Sequence, residues 1–188
     1  MARARPYWLV LAAGLACGSS HALEIAGVKL DDGKTVSGKE LVLNGAGVRT
    51  RAIFKVYVAA LYVPARATEP AAVLGASPRR IELHLLRTLS SDQLVDALND
   101  GLRENNSESE LSAIRSEIAE LAAHMKSLKQ VKEGGVVALD YADGATRIVV
   151  NGAVKGAISG EAFNRALFKV WLGERPVQSD LKKAMLGG

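Results

Sequence analysis

Residues 44–63 read NGAGVRTRAIFKVYVAALYV, and the reading of this stretch decides the fold. A Gly45-Ala46-Gly47 turn is expected to lead through Arg49 and Arg51 into a strand ending at Val63. Side chains alternate across a strand. One face carries Phe54, Val56, Val58, Ala60 and Tyr62, and the other carries Ile53, Lys55, Tyr57, Ala59, Leu61 and Val63. Because both faces are nearly all apolar or aromatic, the segment reads as the central strand of a sheet covered on each side. Its N-terminal end sets guanidinium groups beside an apolar wall, a cationic mouth over an apolar floor.

Upstream, MARARPYWLVLAAGLACGSSHA has a basic start at Arg3 and Arg5, an apolar middle, and small residues at Ser20 and Ala22. That layout predicts a secretory signal peptide over residues 1–22, cleaved after Ala22, with a periplasmic chain of residues 23–188 as a single domain. The apolar middle is short for a membrane span, so no transmembrane segment is expected once the signal is removed. A lipoprotein signal at Cys17 is the alternative, but Gly14 stands three residues before it, where a bulky aliphatic is preferred. Cys17 is the sole cysteine, so cleavage would leave no disulfide, thiol nucleophile or thiolate metal site. Loss of Arg3 and Arg5 would lower the formal charge from +4 to +2. So small a balance does not point to nucleic acid or to an anionic membrane.

Along the remaining chain, Asp32-Gly33 marks a tight turn and residues 80–87, RIELHLLR, read as a second strand. Ser90 with Gln93, and Ser107 with Glu110, match capping boxes. They open a helix over about Ser91–Arg103 and a single longer one over about Glu108–Lys129, striped by Leu111, Ile114, Ile118, Leu121, Met125 and Leu128. Three strands follow, separated by Asp143-Gly144 and Asn151-Gly152, whose composition favours two-residue hairpins. Helices over Glu161–Leu172 and Ser179–Leu186 close the chain. Hairpins in place of regular βαβ units predict an α+β fold with an antiparallel sheet covered by helices.

Motifs for serine hydrolysis, zinc proteolysis, phosphate loops and dinucleotides are absent from the sequence. His84 is out of phase with its strand's apolar face and reads as a sheet-backing residue, and His124 as part of a solvated helix face. Haem or tetrapyrrole ligation by either is the competing reading. Arg49 and Arg51 either pair with carboxylates such as Glu40 or Glu82, or one of them fixes a ligand carboxylate by a bidentate fork. Tyr57 and Tyr62 could donate to the same anion, or only pack in the sheet.

The Gly45-Ala46-Gly47-Val48-Arg49 segment, the run from Phe54 to Tyr57 and on to Val63, and the tail with Ala166-Leu167, Trp171-Leu172-Gly173-Glu174, Pro176-Val177 and Asp180-Leu181-Lys182 resemble the chalcone isomerase family. The chain is similar in particular to its exported bacterial chalcone-isomerase-like members. The resemblance implies an open-faced β-sandwich: a large antiparallel sheet, a layer of helices, and a ligand cleft between them. In the plant enzymes an arginine matching Arg49 serves an intramolecular ring closure. Their other polar residues fall at Tyr57, near Leu94, near Gly101 and at about Val170 in this sequence. Ring closure needs donors aimed at both nucleophile and enolate. Chalcone isomerase activity is therefore not expected, and Arg49 is the sole catalytic candidate.

Non-enzymatic relatives hold fatty acids through an arginine and a tyrosine, which Arg49 and Tyr57 resemble. The resulting expectation is a monomeric, non-catalytic binding protein for an apolar anion such as a fatty acid, with Arg49, Tyr57 and Tyr62 at the ligand and with no cofactor and no metal. An isomerase or lyase acting on an enone-like metabolite is the alternative.

Overall fold

The computed structural model describes residues 23–188. The expected signal peptide, with its cleavage point after Ala22, lies outside the described residues. A short hairpin, β1 (Leu23–Ile25) and β2 (Val28–Leu30), precedes a curled, fully antiparallel sheet of seven strands. These are β3 (Gly33–Val36), β4 (Lys39–Arg51), β5 (Phe54–Val63), β6 (Arg79–Leu85), β9 (Val136–Ala142), β10 (Ala145–Val150) and β11 (Ala153–Ser159). Their spatial order is β11-β10-β9-β6-β5-β4-β3, with β7 (Leu89–Ser90) and β8 (Gln130–Val131) forming a separate small pair.

β5 lies inside the sheet and is covered on both sides, as its two apolar faces require. Ala59, Leu61 and Val63 face a helix layer, whereas Val58, Ala60 and Tyr62 face the β1-β2 hairpin and its neighbours. The helix layer comprises α1 (Pro70–Gly75), α2 (Ser91–Asn105), α3 (Glu108–Ala113), α4 (Arg115–Ser127), α5 (Glu161–Leu172) and α6 (Ser179–Met185). Trp171, Phe163, Phe168, Leu102, Met125 and Leu181 carry the main core from these helices. Both capping boxes are present, with Gln93 and Glu110 returning bonds to the backbone amides of Ser90 and Ser107. Among the described residues no helix is long and apolar enough to cross a membrane.

Three expectations need correction. Gly45-Ala46-Gly47 is no turn but the middle of β4, and the reversal into β5 comes later, at Ala52-Ile53. A Cβ on Gly45 would collide with the carbonyl oxygens of Ala184 and Met185, and one on Gly47 would lie 2.9 Å from the Ala184 side chain. The glycines let α6 rest directly on the strand. The expected helix over Glu108–Lys129 is two helices broken at Ile114, whose φ of −118° and ψ of 22° leave the helical region. α3 buries none of its residues, while Ile114 enters the core at 4 % exposure and α4 continues with Leu121 and Met125 buried. The break re-aims the chain so that α4 buries residues in the core, whereas α3 only lays the partly buried Leu111 against it. Finally, Asp32-Gly33 is not the tight turn expected: Gly33 already opens β3, and Asp32 only bends the chain between β2 and β3.

Candidate functional site

Arg49 on β4 and Tyr57 on β5 are directly opposed across the two strands, immediately before a register shift in β4. Opposed residues of an antiparallel pair project to the same face, here the face under the helices. The bulge at Arg49/Thr50 is held by Gln178, which precedes α6. Its Oε1 accepts from the Thr50 amide at 2.9 Å, and its Nε2 donates to the Val48 carbonyl at 3.3 Å. The same Oε1 accepts from Arg49 Nη1 at 3.3 Å, and Nη1 also donates to the Thr50 carbonyl. The Arg49 guanidinium is thus oriented by neutral oxygens, and no carboxylate among the described residues pairs with it.

Tyr57 reaches from the same mouth into the space between sheet and helices. Its hydroxyl lies deep and accepts a hydrogen bond from Trp171 Nε1 of α5 at 3.1 Å. Burial pushes its phenol above the ordinary tyrosine value, only partly opposed by the Trp171 hydrogen bond and the Arg49 charge. The hydroxyl therefore keeps its proton at neutral pH. Since Trp171 already donates to the oxygen, that proton is free to be donated elsewhere.

Beside Tyr57 lies a cavity of about 40 Å³, lined by Tyr57 itself, Trp171, Leu94, Met125, Val170 and Val177 among others. Its polar side-chain atoms are the Tyr57 hydroxyl and the Trp171 nitrogen, already bonded to each other. The rest of the lining is aliphatic or thioether. A larger depression of about 640 Å³ lies outside this cleft, over α2, α3 and α4, lined by Leu102, Leu111 and Ile118 with Arg103 and Arg115. It has no contact with the Arg49-Tyr57 pair.

Of the residues singled out in the sequence, Arg49 and Tyr57 come together and Tyr62 does not join them. Tyr62 projects from the opposite face of β5, fully buried, and donates to the Asp31 carbonyl at 3.2 Å. Glu40 and Glu82 are not partners of Arg49. Glu40 accepts from Thr35 at 2.6 Å, and Glu82 sits among His84 at 2.8 Å, Arg80 at 3.4 Å and Lys34 at 3.5 Å. Burial raises the Glu82 carboxyl, but the His84 hydrogen bond and the Lys34 and Arg80 charges outweigh it and hold it below its ordinary value. His84 therefore belongs to a network on the far face of the sheet. His124 packs over Gly156 of β11, and neither imidazole lines the cleft. Leu94 and Val170, the positions the resemblance matches approximately to polar groups, do line it.

Sequence reasoning missed Trp171 and Gln178. Trp171 lay within a quoted motif, and Gln178 stood at the start expected for the last helix. Their partners are 114 and 129 residues away in sequence.

The fold and the sequence pattern have known counterparts. The structure superposes on the crystal structure of a fatty-acid binding protein of Arabidopsis thaliana with a TM-score of 0.66, at 13 % identity, covering 85 % of this chain and 92 % of that one. No protein with a curated description matches this sequence. A family model described as chalcone isomerase-like matches residues 22–187, and the chain accordingly belongs to the chalcone isomerase-like family.

Proposed function

We propose that this protein is a non-catalytic binding module for an apolar anion of the fatty-acid class, exported to the periplasm and acting as a monomer. The observation that carries the reading is the cross-strand pair Arg49-Tyr57, whose tyrosine lines an apolar cavity. A guanidinium without a carboxylate partner and a protonated phenol make a two-donor anchor for a carboxylate. Beyond them the lining offers aliphatic contact, and each methylene buried there contributes roughly 0.8 kcal/mol. The structural relative from Arabidopsis is itself a fatty-acid binding protein, which agrees with this assignment.

Catalysis of a ring closure finds little support in the same geometry. Leu94 and Val170 supply no donors, and Tyr57 is the only hydroxyl in the lining. In the closed state described here the cavity holds on the order of one water. Binding a chain therefore requires Leu94, Leu98 or Met125 to withdraw.

Titration of the purified protein with a long-chain fatty acid, followed calorimetrically, tests the reading. Arg49→Ala should weaken binding by about ten- to a hundredfold, the range expected for lost hydrogen bonds to a charged group. Unchanged affinity in that variant would remove Arg49 as the anchor. Turnover of enones by the parent chain, lost in Arg49→Ala, would favour an isomerase or lyase instead.

A further inference from the structure

Five two-residue turns join neighbouring strands among the described residues, and one departs from the pattern of the others. Ala26-Gly27, Ser37-Gly38, Asp143-Gly144 and Asn151-Gly152 all end in glycine, with positive φ at both positions. This is the composition such turns require. The β4-β5 turn is Ala52-Ile53: Ala52 takes a φ of 53°, as Ala26 and Ser37 do at the same place, but Ile53 stands where the other four turns have glycine and its φ is not positive. Ile53 at the tip is 86 % exposed and Phe54 beside it 55 % exposed. A β-branched residue at a turn tip and a bare phenylalanine bury little in the fold they belong to. Departures from local rules without a structural gain mark functional positions.

The charged side chains of the tip itself, and the guanidinium laid against it, are all basic. Arg51 and Lys55 are exposed in the same hairpin, and the Arg87 guanidinium sits 5.0 Å from the Phe54 ring centre. None of the three has a carboxylate within salt-bridge distance among the described residues. From Leu41 to Thr68 the sequence contains no acidic residue. An apolar wedge ringed by unpaired cations matches an interface with apolar depth and negative surface charge, which describes an anionic phospholipid surface.

We propose that the β4-β5 tip docks on anionic membrane surfaces, with Ile53 and Phe54 entering the headgroup layer and Arg51, Lys55 and Arg87 meeting lipid phosphates. The docking stands independently of what the cleft binds. Arg49 lies three residues from Ala52 and Tyr57 four from Ile53 along the same hairpin, about 10 to 14 Å from the tip at the rise of a strand. Docking would therefore set the cleft mouth against the bilayer. A role for that placement in ligand exchange rests on the fatty-acid reading given above.

Flotation of the full chain with vesicles tests the docking directly, in the absence of any fatty acid. The protein should float with phosphatidylglycerol-phosphatidylcholine vesicles, less with phosphatidylcholine alone, and less at high salt, which screens exposed charges. Ile53→Ser combined with Phe54→Ser should lower the partition coefficient at least about tenfold, and Arg51→Gln and Lys55→Gln about fivefold each. Residues 1–22 are common to every variant, so a difference belongs to the tip. Exposed positions should leave circular dichroism and melting unchanged. Phe54→Trp should keep binding and shift its emission to the blue on phosphatidylglycerol vesicles. Equal flotation of the parent and the double serine variant, or no emission shift, overturns the proposal. A change in sedimenting mass in the serine variant without any vesicle binding also overturns it, in favour of a protein contact.

Discussion

Tyr57 contributes to the fold and, under the proposed function, to the anchor, and the two contributions separate on substitution. Tyr57→Phe removes the oxygen to which Trp171 Nε1 donates. A buried donor left without an acceptor costs about 1 to 3 kcal/mol. The variant should therefore melt at a lower temperature and bind fatty acid more weakly, with Arg49 still in place. Calorimetry of both quantities checks this, and an unchanged melting temperature would mean that the Trp171 bond contributes nothing.

Glu110 gives a pH-dependent counterpart at the same scale. It accepts from the Ser107 amide at 2.7 Å and from Lys169 at 2.9 Å, and these bonds hold its carboxyl down to about 2. A carboxyl depressed by folding stabilises fully above its ordinary value, near 4.3. That contribution is lost as pH falls toward 2. Glu110→Gln keeps the capping geometry and loses the charge. The gap in melting temperature between parent and variant should be largest at neutral pH and close between about pH 4.5 and pH 2. A gap that stays constant across that window would show that the charge is not what the site uses.

Among elements, α6 shows how a strand can be designed for a helix far away in sequence. Asn44 donates to the carbonyls of Ala67 at 2.9 Å and Met185 at 2.8 Å, and accepts from the Ala67 amide at 2.7 Å. Next to it, Gly45 leaves room for the α6 backbone. Gly45→Ala should destabilise the protein by about 1 to 3 kcal/mol through overpacking. It should also disturb Gln178 and with it the Arg49 anchor. Gly75→Ala, at the end of α1 where no atom lies within 4 Å of the added carbon, should be neutral or slightly stabilising. Thermal melts of the two variants side by side check the contrast.

The Asn44–Gly47 segment was legible as special but not for its reason. Asp143-Gly144 and Asn151-Gly152 were read correctly because a hairpin's demand on its turn is local. The demand on Gly45 comes from Ala184 and Met185, and no window of sequence contains both ends of it. The same distance hid Trp171 and Gln178 from Tyr57 and Arg49. Tyr62 is different, since strand alternation already put it on the opposite face from Tyr57. Its assignment to the cleft required a contact that the period of the strand forbids.

At the scale of the whole molecule, the sheet and the helix layer are closed on one another, and this sets how a ligand must arrive. Leu94 and Leu98 of α2, Met125 of α4 and Trp171 of α5 fill most of the cleft and leave about 40 Å³. Binding sites for small molecules ordinarily measure about 300 to 1,000 Å³. On the proposed fatty-acid reading, the closed form leaves no room for the chain, and the expected order is separation of helix and sheet, a minor state, before the ligand arrives. Such collective motions occur on the microsecond-to-millisecond scale. The Trp171 indole lines the cavity and bonds to Tyr57, so its fluorescence should report the event. In stopped-flow mixing, the observed binding rate should rise with fatty-acid concentration at first and then level off at the opening rate. Met125→Ala, which enlarges the cavity from the α4 side, should raise that plateau while lowering thermal stability by about 2 to 5 kcal/mol. A rate that climbs linearly to the highest usable concentration would mean that the cleft already stands open in solution, and that the closed packing is not the resting state.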